Sequence, residues 1–105
     1  HGLVLGLLVE LRDRYTVKSN RESGYGRYDI MLEPKDALND DGIIIEFKVL
    51  DDSEEKTLHD TANNAIKQIT DMNYAAELME KGLPAERIHF YGFAFQGKNV
   101  LILGK

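Results

Sequence analysis

The feature that most constrains the fold is an apolar run from Ile43 to Leu50, which only Glu46 and Lys48 interrupt. Its β-branched residues predict a strand that is apolar on both faces. Because side chains alternate along a strand, Glu46 and Lys48 point to the same face. Charges placed in an apolar sheet cost on the order of several kcal/mol unless they are paired or bind a cation. The run therefore predicts either a simple Glu–Lys ion pair or a functional site.

Hydrophobic periodicity along the rest of the chain predicts the element order α-β-β-β-α-β-β. The predicted helices cover 2–15 and a long stretch that ends near Lys81, before the stop signal Gly82. The predicted strands are 16–22, 27–33, 43–50, 88–95 and 100–103. We expect one α/β domain over residues 1–105, with a mixed central sheet flanked by helices. The chain begins at His1 without an initiator methionine, so we also expect it to be a fragment of a longer protein.

A second carboxylate, Asp29, lies on the predicted strand that precedes the strand of Glu46. Neighbouring strands are about 5 Å apart, so the two acids can approach each other. Close carboxylates repel, and a divalent cation is the usual resolution. Oxygen ligands favour Mg²⁺ or Mn²⁺ over zinc, and the backbone carbonyl of Phe47 is a candidate further ligand. The chain has no cysteine, which excludes disulfides and zinc–thiolate sites.

An Asp on the second strand and a Glu-x-Lys on the third resemble the PD-(D/E)XK nuclease superfamily. More narrowly, the stretch from Ser19 to Ile30, followed by Ile44 to Lys48, resembles the branch usually found behind an AAA-ATPase-like domain in bacterial proteins. The stretches 65–69 and 91–95 fit the same pattern, so the resemblance covers essentially the whole chain. It implies a restriction-endonuclease-like core, Mg²⁺-dependent hydrolysis of DNA and an N-terminal ATPase-like partner domain.

The resemblance implies a role for each of four charged residues. Asp29 and Glu46 would be metal ligands, and Lys48 would position or activate the attacking water. Glu22 would be an accessory acid, although an ordinary surface charge at the end of a hairpin is an equal alternative. The family also has an acidic residue on its first helix, whereas this chain has none before Glu10. That acid is therefore expected upstream of His1 or is absent.

Four further positions carry weaker expectations. Gln68 resembles the glutamine that supports the site in related nucleases. Its tyrosine partner usually follows four residues later, but here that position is Met72 and the tyrosine is Tyr74. Tyr25, Arg27 and Lys35 could meet a nucleic-acid backbone, with an ordinary solvated turn as the alternative for each.

The charge balance argues against nucleic-acid binding, because the formal net charge is −5 and the pI is about 5.1. Clustered carboxylates around a cation would account for part of it. Two hypotheses from different classes therefore stand, a Mg²⁺-dependent DNA nuclease and a catalytically silent module of the same fold that binds nucleic acid or protein. A purely structural domain with a chance Glu–Lys pair ranks below both. The longest apolar run, Leu3 to Val9, is too short for a membrane span of about 20 residues, and we expect a cytoplasmic protein.

Overall fold

The computed structural model describes residues 11–19, 22–23, 26–27 and 29–105, with backbone alone at 22–23 and 26–27. Most of the predicted first helix, over 2–15, lies outside these residues. Its predicted end is wrong, because residues 12–14 form a turn and Tyr15 already begins the first strand.

A five-stranded mixed sheet forms the centre of the described fold, and this confirms the predicted α/β class. Its strands are β1 (Tyr15–Ser19), β4 (Ile30–Pro34), β5 (Gly42–Val49), β6 (Ile88–Gln96) and β7 (Asn99–Gly104), in the order β1-β4-β5-β6-β7. Only β5 and β6 pair in parallel, and the other neighbours are antiparallel. The helices are α1 (Leu58–Asp71) and α2 (Ala75–Met79), followed by a 3-10 turn at Ala85–Arg87.

The first hairpin differs from its predicted form. The predicted second strand, 27–33, is divided into β3 (Gly26–Arg27) and β4, and β3 pairs with β2 (Glu22–Ser23) in a separate two-stranded ladder. The pairing of β4 with β5 begins at Ile30, opposite Ile45. The β2–β3 ladder has no third strand beside it among the described residues. A two-stranded ribbon of this kind twists more strongly than a larger sheet, which favours a break between β3 and β4. Asp29 consequently lies just before β4.

The predicted long helix is interrupted, so its predicted continuity to Lys81 is wrong. Helix α1 ends at Asp71, and Asn73 adopts the left-handed conformation with φ 54° before α2 begins. Asparagine tolerates this conformation better than most residues. The break allows Tyr74 and Leu78, which are 2% and 0% exposed, to enter the core. Gly82, with φ 100°, supplies the predicted stop after α2.

Helix α1 packs very closely on the sheet because glycine faces it. A Cβ at Gly92 would lie 2.3 Å from the carbonyl oxygen of Ala62 and 3.1 Å from the Cβ of Ala65. At the start of the helix, Thr57 and Asp60 form a capping box. The close approach brings Gln68 of α1 within hydrogen-bonding distance of Glu46 on β5.

Hydrophobic residues are buried on both faces of the sheet. The face under the helices carries a cluster of buried residues, which comprises Met31, Ile44, Ile69, Tyr74, Leu78, Leu83 and Ile88. Tyr15, Ile30, Leu32 and Ile45 form the second cluster. The alternation in β5 therefore places Glu46 on the helix-covered face. Within the described ranges, no helix is long and apolar enough to span a membrane.

Candidate active site

Glu46 is a buried acid on the middle of β5. It is 7% exposed, and its Oε1 accepts a hydrogen bond from Nε2 of Gln68 at 2.9 Å. Its other oxygen, Oε2, is buried without a hydrogen-bond partner in the described part of the chain. Burial, and after it the charge of Asp29, raise the pKa of Glu46 to about 7. The Asp29 backbone N–H and the charge of Lys48 favour the ionised form, but they do not offset these two effects.

Asp29 lies beside Glu46, as the sequence predicts. The pairing of Ile30 with Ile45 places the two acids at adjacent positions of neighbouring chain segments. Oδ2 of Asp29 accepts a hydrogen bond from the backbone N–H of Phe47 at 2.7 Å. This bond fixes Asp29 against β5 although Asp29 itself precedes β4. The structure thus brings together two carboxylates from neighbouring chain segments, one on β5 and one just before β4.

A cavity of about 570 Å³ opens in front of this pair. Its lining comprises Asp29, Glu46, Asn64, Lys67, Gln68, Asp71, Met72 and Tyr74. Tyr74 follows Gln68 by six residues, which on a continuous helix would place it on a different side. The left-handed Asn73 interrupts the helix, so Gln68 and Tyr74 line the same cavity. The shift of the tyrosine relative to the family pattern is therefore compatible with its presence at the site.

Lys48 shares the face of Glu46 but pairs with a different acid. Its Nζ lies 3.6 Å from Oε2 of Glu55, while its charge also lowers the pKa of Glu46 as a minor effect. The side chain of Lys48 is 33% exposed, and that of Glu55 is 1% exposed. The simple Glu46–Lys48 ion pair that the sequence left open is absent from the ion pairs of the described residues.

Glu55 is the buried polar residue that sequence reasoning missed. Hydrogen bonds from the Asp51 backbone and the Asn64 side chain lower the pKa of Glu55 to about 2, against the effect of burial, and Thr61 and Lys48 contribute further. The run 51–55 consists entirely of polar residues. Such a run indicates a solvated loop, and nothing in its periodicity marks which acid turns inward. The only available signal was its position in the loop shortly before α1, which begins at Leu58.

Among the remaining predicted positions, the structure describes the side chain of Lys35, which does not line this cavity. The side chain of Glu22 lies outside the described part, as do Tyr25 and the side chain of Arg27. Lys35 is exposed in the β4–β5 loop, and its backbone N–H donates to the carbonyl of Arg14 at 2.9 Å. The role predicted for Glu22 stays a prediction.

The donor chemistry at Asp29 and Glu46 fits a hard cation. Two carboxylates face one cavity, and a buried oxygen of Glu46 lacks a protein donor in the described structure. Oxygen ligands of this kind suit Mg²⁺ or Mn²⁺. The described residues contain no group of three or more His, Cys, Asp or Glu side chains placed to hold a metal ion. A cation here would need backbone or water oxygens besides the two acids.

Comparison with known proteins identifies the family of the chain. No curated protein matches the chain. The family model described as the PD-(D/E)XK nuclease superfamily matches residues 1–104, almost the full sequence. That superfamily consists mostly of nucleases, which generally use divalent metals and act on nucleic acid. The matched length and the mixed sheet agree with each other, and the chain belongs to the PD-(D/E)XK nuclease superfamily.

Proposed function

We propose that the chain is a divalent-cation-dependent nuclease that hydrolyses phosphodiester bonds in DNA. The observation that carries the proposal is the buried Glu46 beside Asp29, with one oxygen that no described donor satisfies. A buried acid in this condition destabilises the ionised protein unless a cation compensates it. Membership of a superfamily that consists mostly of nucleases makes a catalytic cation the best explanation.

Each residue of the site has a proposed task. Asp29, Glu46 and the backbone carbonyl of Phe47 hold Mg²⁺, or Mn²⁺ in its place. The cation supplies Lewis acidity toward the scissile phosphate. Lys48 orients the attacking water by hydrogen bonding and offsets the negative charge that develops on the phosphate.

Two further residues complete the proposed site from outside the ligand pair. Gln68 keeps the Glu46 carboxylate in place through its hydrogen bond of 2.9 Å. Glu22 is proposed as an accessory acid. Both assignments come from the family resemblance. The contact of Gln68 with Glu46 supports the role of Gln68.

Three wider statements belong to the same proposal. Residues 1–105 form one domain of a longer chain. That chain carries an AAA-ATPase-like domain on the N-terminal side, as the resemblance to that branch implies. The protein acts in the bacterial cytoplasm, where its DNA substrate is found.

DNA cleavage with matched variants tests the proposal. Plasmid and single-stranded DNA are incubated with the purified protein and Mg²⁺ or Mn²⁺, for wild type, Asp29→Ala and Lys48→Ala. Both variants should lose activity by about 100-fold or more, the usual effect of removing one group that stabilises a transition state. Glu86→Gln and Lys98→Ala are controls, because both residues are exposed and neither lines the cavity. Equal cleavage by wild type, Asp29→Ala and Lys48→Ala would refute the assignment.

Cation binding can be tested separately by calorimetric titration with Mn²⁺. Wild type should bind, and Asp29→Ala and Glu46→Gln should bind at least about tenfold more weakly, because each loses a charged ligand. Binding that is equal in all three proteins would show that the cation does not occupy this pair.

The net charge of −5 favours a second candidate function, a catalytically silent module of the same fold. Such a module would bind nucleic acid or protein beside the ATPase-like domain. A strongly acidic protein has no general attraction to phosphate. Wild-type protein that binds a partner but shows neither cation binding at Asp29 and Glu46 nor cleavage would favour this function.

A further inference from the structure

A carboxylate outside the proposed ligand pair holds the ammonium group of Lys48. Glu55 lies in the loop between β5 and α1 and is only 4% exposed. Its Oε2 lies 3.6 Å from Nζ of Lys48. Burying a carboxylate is costly unless partners compensate it fully, so its partners indicate what it does.

The two oxygens of Glu55 serve different parts of the structure. Oε1 accepts hydrogen bonds from the Asp51 backbone N–H at 2.9 Å and from Oγ1 of Thr61 at 3.0 Å. These contacts close the loop onto the start of α1. Oε2 accepts a hydrogen bond from Nδ2 of Asn64 at 2.6 Å and also faces Lys48. The carboxylate is therefore fixed through Oε1 and is presented to Lys48 through Oε2.

Both partners of Oε2 lie close to the proposed site. Asn64 lines the cavity in front of Asp29 and Glu46. Lys48 follows Glu46 by two residues on the same face of β5 and keeps a side chain that is 33% exposed. The ammonium group is thus restrained on one side and remains accessible on the other. A fully solvated lysine would instead sample many rotamers of its four-carbon stem.

We propose that Glu55 is a positioning residue that holds the Lys48 ammonium, together with the Asn64 amide, at the edge of the Asp29–Glu46 site. The inference rests on the proposed nuclease function for its effect on the reaction. Its geometric part, the restraint of Lys48, is independent of that function. The low pKa of Glu55 agrees with a carboxylate that stays ionised beside the lysine.

The alternative is that Glu55 only closes the loop before α1. That task needs the contacts of Oε1 alone, so Thr61→Val is a matched control for it. Valine removes the hydroxyl donor to Oε1 at nearly constant shape and leaves the Lys48 and Asn64 contacts in place. Glu55→Gln keeps an oxygen acceptor for the Oε1 contacts but removes the charge opposite Lys48. A loop-closing role predicts that Glu55→Gln has no larger effect than Thr61→Val, whereas a positioning role predicts a clear effect of Glu55→Gln on Lys48 and little effect of Thr61→Val.

Nitrogen-15 relaxation of the lysine ammonium groups tests the restraint without any cleavage assay. In the wild-type protein, the order parameter of the Lys48 ammonium should clearly exceed that of Lys98, which is exposed. The same measurement should give wild-type values in Thr61→Val and values close to those of Lys98 in Glu55→Gln. A Lys48 ammonium as mobile as Lys98 in wild type overturns the inference, even if Glu55→Gln cannot be folded.

Steady-state cleavage of DNA tests the consequence for the reaction. Glu55→Gln should lower kcat by about 10- to 100-fold, the range typical for an outer partner of a catalytic group, with KM changed less than about twofold. Thr61→Val should keep kcat within about threefold of wild type. Equal kcat values in folded Glu55→Gln and wild type overturn the inference. A wild-type protein that cleaves no DNA refutes the proposed function and the role in the reaction with it, whatever the mobility of Lys48.

Discussion

Substitution of Glu46 by glutamine should stabilise the metal-free protein at alkaline pH. Glu46 is 7% exposed, and its pKa rises from 4.5 to about 7 on folding. A carboxylic acid with a raised native pKa stabilises the fold while it is protonated, and this contribution is lost as the pH rises through the native pKa. The contribution is complete below about pH 4.5 and absent well above about pH 7.

The magnitude follows from the size of the shift. A shift of about 2.5 pKa units at about 1.4 kcal/mol each means that the free energy of unfolding falls by on the order of 3 kcal/mol between low and high pH. Glutamine is nearly isosteric with glutamate and stays neutral, so Glu46→Gln should not lose stability as the pH rises. Its amide oxygen can keep the hydrogen bond from Gln68, and its amide NH₂ can face the charge of Asp29.

Urea denaturation in EDTA, at about pH 4 and about pH 8, measures the effect. The two proteins should have similar free energies of unfolding at the lower pH, and the variant should exceed wild type by about 2 to 3 kcal/mol at the higher pH. Glu86→Gln, at an exposed position, should show no such dependence. A difference between Glu46→Gln and wild type that does not change with pH would refute the reasoning.

Three other predictions concern the scaffold of the site. Gly92→Ala should destabilise the protein by about 1 to 3 kcal/mol in urea denaturation, since the new Cβ would lie 2.3 Å from the Ala62 carbonyl oxygen. Because the native pKa of Glu55 is about 2, its ionised carboxylate stabilises the fold above about pH 4.5, and this contribution should be lost as the pH falls through 2. An acid titration followed by near-UV circular dichroism should show this loss in wild type and not in Glu55→Gln. Arg87→Met should speed amide hydrogen exchange in the loop 35–41 by about tenfold or more, because the guanidinium no longer donates to two carbonyl oxygens there; unchanged exchange would contradict this role.

The paired acids and the face they share were predictable because their causes are local. Alternation along β5 places Glu46 and Lys48 on one side whatever the rest of the fold does. The position of Asp29 could be predicted only on the further assumption that its chain segment lies next to β5. The hydrogen bond from the Phe47 backbone N–H to Asp29 agrees with that assumption.

The helix break and the buried Glu55 were not predictable, since their causes are tertiary. Asn73 is compatible with a helix interior, and its left-handed conformation is favoured only once Tyr74 and Leu78 gain burial in the core. Glu55 turns inward because Thr61, Asn64 and Lys48 surround its carboxylate, and two of these three residues belong to a helix that begins later in the chain. Neither packing arrangement leaves a periodic pattern in the sequence.

The antiparallel neighbours β4 and β5 also bear on how the protein folds. Asp29 and Glu46 come from segments joined by the short loop 35–41, whereas β5 and β6 are brought together only through the long connection that contains both described helices. Contacts between segments close in sequence cost less chain entropy and generally form faster. The acid pair can therefore assemble while β6 is still unpaired, and a cation that binds the pair would accelerate folding rather than only slow unfolding.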